Sequence, residues 1–261
     1  MQAASGYFIT MKLVVAGLAA ALVAFPLAAP AAEPFVFTDG IARGQTLDIH
    51  DINGDVTITP GDRLEVRATK TAGRRGNPDD VKIVTQRNSS GIAVCVQYPG
   101  DDGDCGHSHH NGNNDNNTRV DFSVRVPGGV NVTAASVNGT VNVRSDALVS
   151  AQTVNGDVNV DAYDISHAAT VNGSIDVHVR DARSSVPLRL ATVNGSVSCA
   201  LPAAVGVRVH ASVLNGSIDA GGLTVNRPRY GPGASVDGTL GDGRRDLELH
   251  ALNGSIHVTR S

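Results

Sequence analysis

Residues 154–160 read Val-Asn-Gly-Asp-Val-Asn-Val, and this phrase returns along the chain. It consists of an aliphatic residue, Asn-Gly, a small polar residue, and two aliphatic residues one position apart. From the second copy onward, the first five asparagines follow at steps of 17, 17, 22 and 21 residues. Such a period indicates a repeat architecture, in which each unit buries its apolar face on its neighbours. The asparagines of the phrase are Asn53, Asn138, Asn155, Asn172, Asn194, Asn215 and Asn253, and a variant copy occupies residues 236–240.

The phrase has two structural interpretations. Asn-Gly between alternating apolar residues can form a two-residue hairpin turn, in which Val154 would face Asp157 and both faces would mix apolar and polar side chains. If one strand runs through the phrase, Val154, Gly156, Val158 and Val160 share one face and the polar residues share the other. This clean alternation favours the through-running strand.

The repeat length favours a parallel solenoid. Parallel strands need a return connection, and 17 to 22 residues hold short strands and corners but no ordinary helix with its loops. We therefore predict an all-β, β-helix-like solenoid with equivalent asparagines about 4.8 Å apart in a hydrogen-bonded ladder. Gly at an inward position lets the backbone approach its neighbour closely. Aromatic residues make up 3% of the chain and Trp is absent, so aliphatic side chains must fill the interior.

The first residues resemble an export signal. Met11-Lys12 precedes the apolar run 13–27 and the small residues Ala29-Pro30-Ala31, the pattern of a secretory signal peptide. A membrane anchor is the alternative, but a run of about 15 residues is short for a bilayer span. We predict a signal peptide over residues 1–31 with no transmembrane anchor after cleavage, and a periplasmic, surface or secreted mature protein.

The mature chain divides into two predicted regions. Residues 33–128 are predicted to form an irregular N-terminal β region that contains a polar loop at 99–118, and residues 129–261 to form the solenoid repeats. Cys95 and Cys105 flank a short loop and can form a disulfide in an oxidising compartment. Cys199 takes the place of an aliphatic repeat residue, so we expect a buried filler.

The polar loop holds the candidate metal ligands Asp101, Asp104, His107, His109 and His110. Histidines and carboxylates can bind a transition metal, and oxygens alone can bind calcium. The loop lacks the spacing of a HExxH or EF-hand motif and is rich in Gly and Asn. We therefore expect a solvated loop and no cofactor, with metal binding as the alternative.

Charge and motifs exclude several function classes. The net charge of −4 and the lack of a basic stripe argue against a nucleic-acid-binding protein. No Ser-His-Asp order, P-loop or paired acid and base can be assigned, so we predict no enzyme activity. Asp55 and Asp157 could imitate the carboxylates of a carbohydrate-active β-helix enzyme, but equivalent positions elsewhere carry Ser or Thr.

The export signal, the irregular β start and the repeats from Val137 to Val258 resemble the bacterial putative-adhesin family. The resemblance covers about half of the chain. It implies a right-handed parallel β-solenoid and brings no catalytic residues. We therefore expect a non-enzymatic envelope or surface protein, adhesin-like or a scaffold, that binds a protein or a glycan through a rigid β-face. The alternatives are a carbohydrate-active β-helix enzyme and a periplasmic metal-binding module that uses residues 101–115.

Overall fold

The computed structural model describes residues 34–105, 109–110, 116–181 and 185–260. Within these ranges the fold is all-β, as predicted, and its helical element is the 3₁₀ turn Pro78–Asp80. No helix there has the length and apolarity that a membrane crossing requires. The predicted signal peptide and His107 lie outside the described residues.

The strands fall into those before the regular repeats and those that build them. The first group is β1 (Phe35–Asp39), β2 (Thr46–His50), β3 (Val56–Gly61), β4 (Leu64–Thr71), β5 (Lys82–Asn88), β6 (Gly91–Gln97), β7 (Asp101–Asp102), β8 (His109–His110) and β9 (Arg119–Pro127). The second group is β10 (Asn131–Ala135), β11 (Val141–Gln152), β12 (Val158–Asn172), β13 (Ile175–Val179), β14 (Leu188–Asn194), β15 (Val197–Leu201), β16 (Val207–Asn215), β17 (Ile218–Ala220), β18 (Ala234–Leu240), β19 (Arg245–Asn253) and β20 (Ile256–Arg260).

Most neighbouring strands pair in parallel and form two ladders that share the long strands β11 and β12. The first ladder has the order β6, β2, β10, β11, β12, β14, β19, β16. The second has the order β9, β3, β11, β12, β13, β15, β20, β17. Antiparallel strands flank them, with β5 on β6, β4 on β9, β1 on β4 and β18 on β16. The predicted mostly parallel, all-β sheet is confirmed.

Each Asn-Gly pair lies where the chain passes from the first ladder to the second. We call the pair with the strand before it and the strand after it a rung, named by its asparagine. The strand after the pair begins two residues beyond Gly, as β12 does at Val158 after Gly156. Because the strands before and after an Asn-Gly pair do not pair with each other antiparallel in any of these rungs, the Asn-Gly pair is not a hairpin turn.

We call the bend at each Asn-Gly pair the corner of its rung. One sequence-based prediction about the residues around this corner is wrong. Val158 and Val160 are buried, but Val154 is 38% exposed and does not share their face. The strand is interrupted between Gln152 and Val158, so the alternation of faces starts afresh after the corner. The aliphatic residue before the asparagine therefore lies at the surface in six rungs, and it is partly buried at Ile52 in the first.

The glycines of the phrase are required by the close stacking of the corners. A Cβ on Gly156 would lie 2.1 Å from the carbonyl oxygen of Gly139, and a Cβ on Gly139 would lie 1.7 Å from that of Gly54. The φ of Gly156 is also +155°, which L side chains rarely adopt. No other residue fits this corner without moving the neighbouring rung.

The asparagines form one column of side-chain hydrogen bonds. Each Nδ2 donates to the Oδ1 of its neighbour at 2.8 Å. At the start of the column, Asn53 Nδ2 lies 3.4 Å from the hydroxyl oxygen of Tyr98. The order in the column is Asn53, Asn138, Asn155, Asn172, Asn194, Asn253, Asn215. Asn53 thus stacks on the regular repeats, while the predicted division of the chain at residue 128 stays a prediction.

The column does not follow the order of the chain at its end. Sequence spacing predicted that Asn194 and Asn215 are neighbours, but the Asn253 rung lies between them because β19 pairs with both β14 and β16. The variant phrase at 236–240 is not a further rung. It lies in β18, antiparallel to β16, where a Cβ on Gly238 would meet the side chain of Leu223 rather than a backbone carbonyl.

Aliphatic columns fill the interior between the ladders. Val158 pairs with Ile175, which pairs with Val197, and all three are buried. Each fully buried aliphatic side chain of this size contributes about 1.5–3 kcal/mol. Cys199 stands between Val177 and Val258 and is fully buried, as the repeat pattern predicts.

Candidate binding groove

A surface groove of about 630 Å³ runs across four consecutive rungs. It is built from the three positions that precede the asparagine in the Asn53, Asn138, Asn155 and Asn172 rungs. Because these rungs stack in register, each adds the same three repeat positions at the strand spacing of about 4.8 Å. The lining residues are His50, Asp51, Ile52, Cys95, Val96, Ala135, Ser136, Val137, Gln152, Thr153, Val154, Ala169, Thr170 and Val171.

Buried hydroxyl groups form the floor. The Oγ of Ser136 donates to the carbonyl oxygen of Gly54 at 3.1 Å, and Thr153 Oγ1 donates to that of Gly139 at 2.9 Å. Thr170 Oγ1 makes the equivalent 2.9 Å bond to the carbonyl oxygen of Gly156 in the neighbouring rung. These bonds satisfy the carbonyl groups that the corner leaves without a strand partner. The hydroxyl protons are therefore already committed inside the protein.

Asp51 occupies the same floor position in the first rung. It is 4% exposed, and its carboxylate oxygens make no hydrogen bond of normal geometry among the described residues. Burial raises the pKa of Asp51 to about 7, against the smaller opposing effect of the backbone N–H groups of Ile52 and Asn53. A buried carboxyl with this pKa carries its proton over most of the acidic range.

An exposed aliphatic wall runs along one side of the groove. Val137, Val154 and Val171 are 39%, 38% and 39% exposed, and Ile52 is partly buried at the first rung. Beyond the groove the same repeat position carries Val193, Leu252 and Leu214, which are also exposed. A contiguous exposed apolar stripe is typical of an interaction surface.

The opposite side is formed by His50, Ala135, Gln152 and Ala169. His50 Nε2 lies 2.8 Å from Asp48, whose carboxylate raises the pKa of His50. Among the lining residues, Asp51 and His50 are the titratable groups apart from Cys95, which is in a disulfide. The accessible part of the groove is therefore almost uncharged.

One end of the groove meets the polar loop. Cys95 lines that end and forms a disulfide with Cys105, with their Cα atoms 5.5 Å apart. Asp101 Oδ2 accepts a hydrogen bond from the backbone N–H of Tyr98, and Asp104 Oδ1 accepts one from Gln86 Nε2. The bridge thus fixes one side of the loop next to the groove.

Of the five candidate metal ligands, Asp101 and Asp104 are those whose side chains the structure describes. Asp101 and Asp104 have the protein partners given above, whereas nothing is described of the side chains of His109 and His110, and His107 lies outside the described residues. In the part of the chain that is described, no three His, Cys, Asp or Glu side chains form a group that could hold a metal ion. Metal binding by the loop stays a hypothesis.

The two candidate carboxylates on the outer face have structural partners. Asp157 Oδ1 accepts the backbone N–H of Ser174 at 2.8 Å, and Asp55 Oδ1 accepts that of Thr140 at 2.8 Å. Asp55 also lies 2.6 Å from Arg119. The small polar residue after Gly therefore serves as a hydrogen-bond acceptor for the next rung.

Sequence reasoning missed the groove, although one signal was present. The position two residues before Asn is Ser or Thr in four consecutive copies, at Ser136, Thr153, Thr170 and Thr192. A polar residue between apolar neighbours at a fixed repeat position indicates a buried hydrogen bond. The recurring Ser or Thr thus indicates that the chain turns just before the asparagine.

Comparisons with known proteins add two remote likenesses of structure. Scans against protein-family models and against curated proteins find no match. The chain is similar to the crystal structure of a "putative cell adhesion protein" from Clostridium sporogenes, with 14% identity, a TM-score of 0.47, and coverage of 88% of this chain and 99% of that one. It is also similar to a "putative adhesin" from Bacteroides fragilis, with 9% identity, a TM-score of 0.28 and the same coverage. At these values neither likeness indicates what this chain binds.

Proposed function

We propose that this chain is an exported, non-enzymatic envelope or surface protein of the adhesin-like type, with its rungs wound as a right-handed parallel β-solenoid. It binds a protein or a glycan through the groove. The observation that carries the proposal is the uninterrupted apolar wall along four rungs, beside a floor whose hydroxyl groups are internally bonded. Stacked corners, held together by the asparagine column and by the hydroxyl bonds of the floor, position these side chains, so the surface is ordered before it meets a partner, which lowers the cost of binding.

Export is supported by two features. The apolar N-terminal run has the pattern of a signal peptide, and the Cys95–Cys105 disulfide suits an oxidising compartment. We place the protein in the periplasm, at the cell surface or outside the cell.

The carbohydrate-active enzyme is the weaker alternative. Glycoside hydrolysis requires two carboxyl groups beside the scissile bond. Asp51 is the one carboxyl that lines the groove, and both of its oxygens are enclosed by protein. Asp55 and Asp157 already accept backbone hydrogen bonds.

Co-sedimentation of the mature protein with isolated cell-envelope particles tests the proposed function. Val154→Asp with Val171→Asp places charges on the wall at positions that are already exposed, so the fold is retained and we expect most of the sedimenting protein to be lost. Val36→Asp is the control because Val36 is 48% exposed in β1, outside the groove. Equal sedimentation of the wall variant and the control would show that the groove is not the binding surface.

A further inference from the structure

We propose that the groove holds an uncharged polysaccharide chain that lies along the stack of rungs, with about one sugar unit on each rung. This inference rests on the groove function proposed above and names the ligand class. It is carried by the repeat distance, the pairing of apolar and amide groups, and the lack of accessible charge.

The repeat distance favours a polymer of equivalent units. Ala135 pairs with Gln152, and Gln152 with Ala169, so the groove presents the same positions again at each strand spacing of about 4.8 Å. A pyranose ring with its linkage oxygen is close to this length. An extended peptide places side chains on one face every two residues, or about 6.6–6.8 Å, so its side chains would fall out of step with the rungs.

The side chains beside the groove can contact both the apolar C–H groups and the polar hydroxyl groups of a sugar. The C–H groups of a pyranose ring are apolar and can pack on Val137, Val154 and Val171. The asparagine that follows each valine is exposed, and its amide uses one N–H and one oxygen lone pair within the column. A second N–H and a second lone pair remain on each amide, and they can bind sugar hydroxyl groups.

The charges favour an uncharged chain over an acidic one. Asp51 is enclosed, and His50 is engaged with Asp48, so no basic group of the lining is available to bind carboxylates along the ligand. Recognition of an anionic polymer requires a row of cationic side chains, which the lining lacks. An acyl chain would leave the asparagine amides without partners.

Native gel electrophoresis of the whole mature protein in gels that contain polysaccharide tests this inference. The neutral polysaccharides are hydroxyethyl cellulose, xylan, glucomannan and dextran, and the anionic ones are alginate and polygalacturonate. We expect retardation by at least one neutral polysaccharide and by neither anionic one. Val154→Asp with Val171→Asp should weaken it about tenfold or more, since both substitutions place a charge on the apolar wall that the sugar rings would contact. The Val36→Asp control should be retarded like the parent.

Oligosaccharides of the retarding polysaccharide give the sharper measurement. Because the groove spans four rungs, affinity should rise with each added sugar up to about four units and then level off. No retardation by any of the four neutral polysaccharides would overturn the inference, as would stronger binding to alginate or displacement by an extended Val/Thr-rich peptide. If the wall variant still abolishes envelope sedimentation in that case, the proposed groove function stands and the glycan assignment falls.

Discussion

The rungs of Asn138, Asn155 and Asn172 differ from the last three rungs in how the chain builds them. In the first set, each rung is 17 residues after the previous one and stacks directly on it. In the second set, the Asn253 rung is last in the chain but lies between those of Asn194 and Asn215. The repeated phrase therefore specifies the geometry of a rung but not its place in the stack.

Strand β18 accounts for the change of order. It runs antiparallel along one side of β16, and the chain then returns so that β19 pairs in parallel with the other side of β16. The floor position also changes within the second set, where Thr192 of the Asn194 rung is followed in the column by Ala251 and Val213. The groove belongs to the regular rungs, whereas the C-terminal rungs close the fold by long-range pairing.

Removal of the inserted rung should have the largest effect. Deletion of residues 245–261 takes away β19 and β20, on which β14, β15, β16 and β17 pair. The buried side chains of these strands each contribute about 1.5–3 kcal/mol, against a typical total stability of 5–15 kcal/mol. We expect residues 188–244 to lose their fold, as measured by limited proteolysis and urea unfolding.

A deletion of one regular rung is the matched control. Loss of residues 138–154 joins Val137 to Asn155 and removes one 17-residue repeat without a change of phrase. A repeat stack tolerates such a deletion because each rung contacts only its neighbours. If this variant unfolds as completely as the C-terminal deletion, the two regions do not differ in the way described.

A buried ion pair joins the two regions. Arg245 of β19 is 1% exposed, and its Nη1 lies 2.7 Å from Asp164 of β12. Asp164→Ala should lower the free energy of unfolding by about 3–5 kcal/mol, because it leaves a buried charge without its partner. The double variant Asp164→Leu, Arg245→Met should lower the free energy of unfolding far less than Asp164→Ala does, because it leaves no buried charge.

The exposed pair of Arg189 and Glu248, 2.7 Å apart, is the control for this experiment because it also joins the inserted strand to its neighbour. Glu248→Ala should leave the free energy of unfolding almost unchanged, as is usual for surface ion pairs. Equal losses in Glu248→Ala and Asp164→Ala would contradict the burial of the Arg245 pair.

Asp51 should make the first rung sensitive to pH. Its pKa is about 7 in the folded protein and 3.8 in an unperturbed carboxyl, so the folded state holds the proton more tightly. Stability should therefore fall as the pH rises from about 4 to about 7, by a few kcal/mol, and then level off. The charge of Asp121 adds to the shift, and that of Arg119 opposes it.

The variant Asp51→Ser tests this pH dependence. It replaces the carboxyl with a hydroxyl group, as in Ser136, the equivalent residue of the second rung. The hydrogen bond with Asp48 also raises the pKa of His50, which adds its own pH dependence to stability, so the informative quantity is the difference between the unfolding free energies of variant and parent at each pH. The unfolding free energy of the variant, relative to that of the parent, should increase steadily between pH 4 and pH 7. A flat difference would show that Asp51 is ionised in the folded protein.

The corner glycines should behave alike in both regions. A Cβ on Gly156 would lie 2.1 Å from Gly139 O, and one on Gly254 would lie 1.8 Å from Gly195 O. Replacement of either by Ala should cost about 2–3 kcal/mol in chemical denaturation, through strained backbone and displaced neighbours. Gly128→Ala has open space around the new methyl group, so its free energy of unfolding should stay within about 0.5 kcal/mol of that of the parent.

Local features of this fold were predictable from the sequence, and long-range ones were not. Alternation after Asn-Gly predicted the buried places of Val158 and Cys199. It misplaced Val154, because a glycine corner between two ladders resets the alternation. Neither the pairing of Asp164 with Arg245 nor the position of the Asn253 rung leaves a local signal, since the phrase is the same whichever rung lies beside it.

The groove was predictable only in part for the same reason. The Ser or Thr two residues before Asn recurs in the sequence, but the carbonyl groups it bonds belong to a different rung. The raised pKa of Asp51 depends on burial beneath strands that are distant in sequence. Partners of this kind follow from the stacking and not from the phrase.

A disulfide test of strand order is the most direct measurement of the central claim, that the last rung in the chain is inserted between two earlier ones. In a Cys199→Val background, Ser198→Cys with His257→Cys should form a disulfide readily on mild oxidation. These residues pair in adjacent parallel strands, about 4.8 Å apart. Ser198→Cys with Asp219→Cys should not form one, because β20 separates them. The reverse result, with Ser198 cross-linked to Asp219 and not to His257, would show that the rungs stack in chain order.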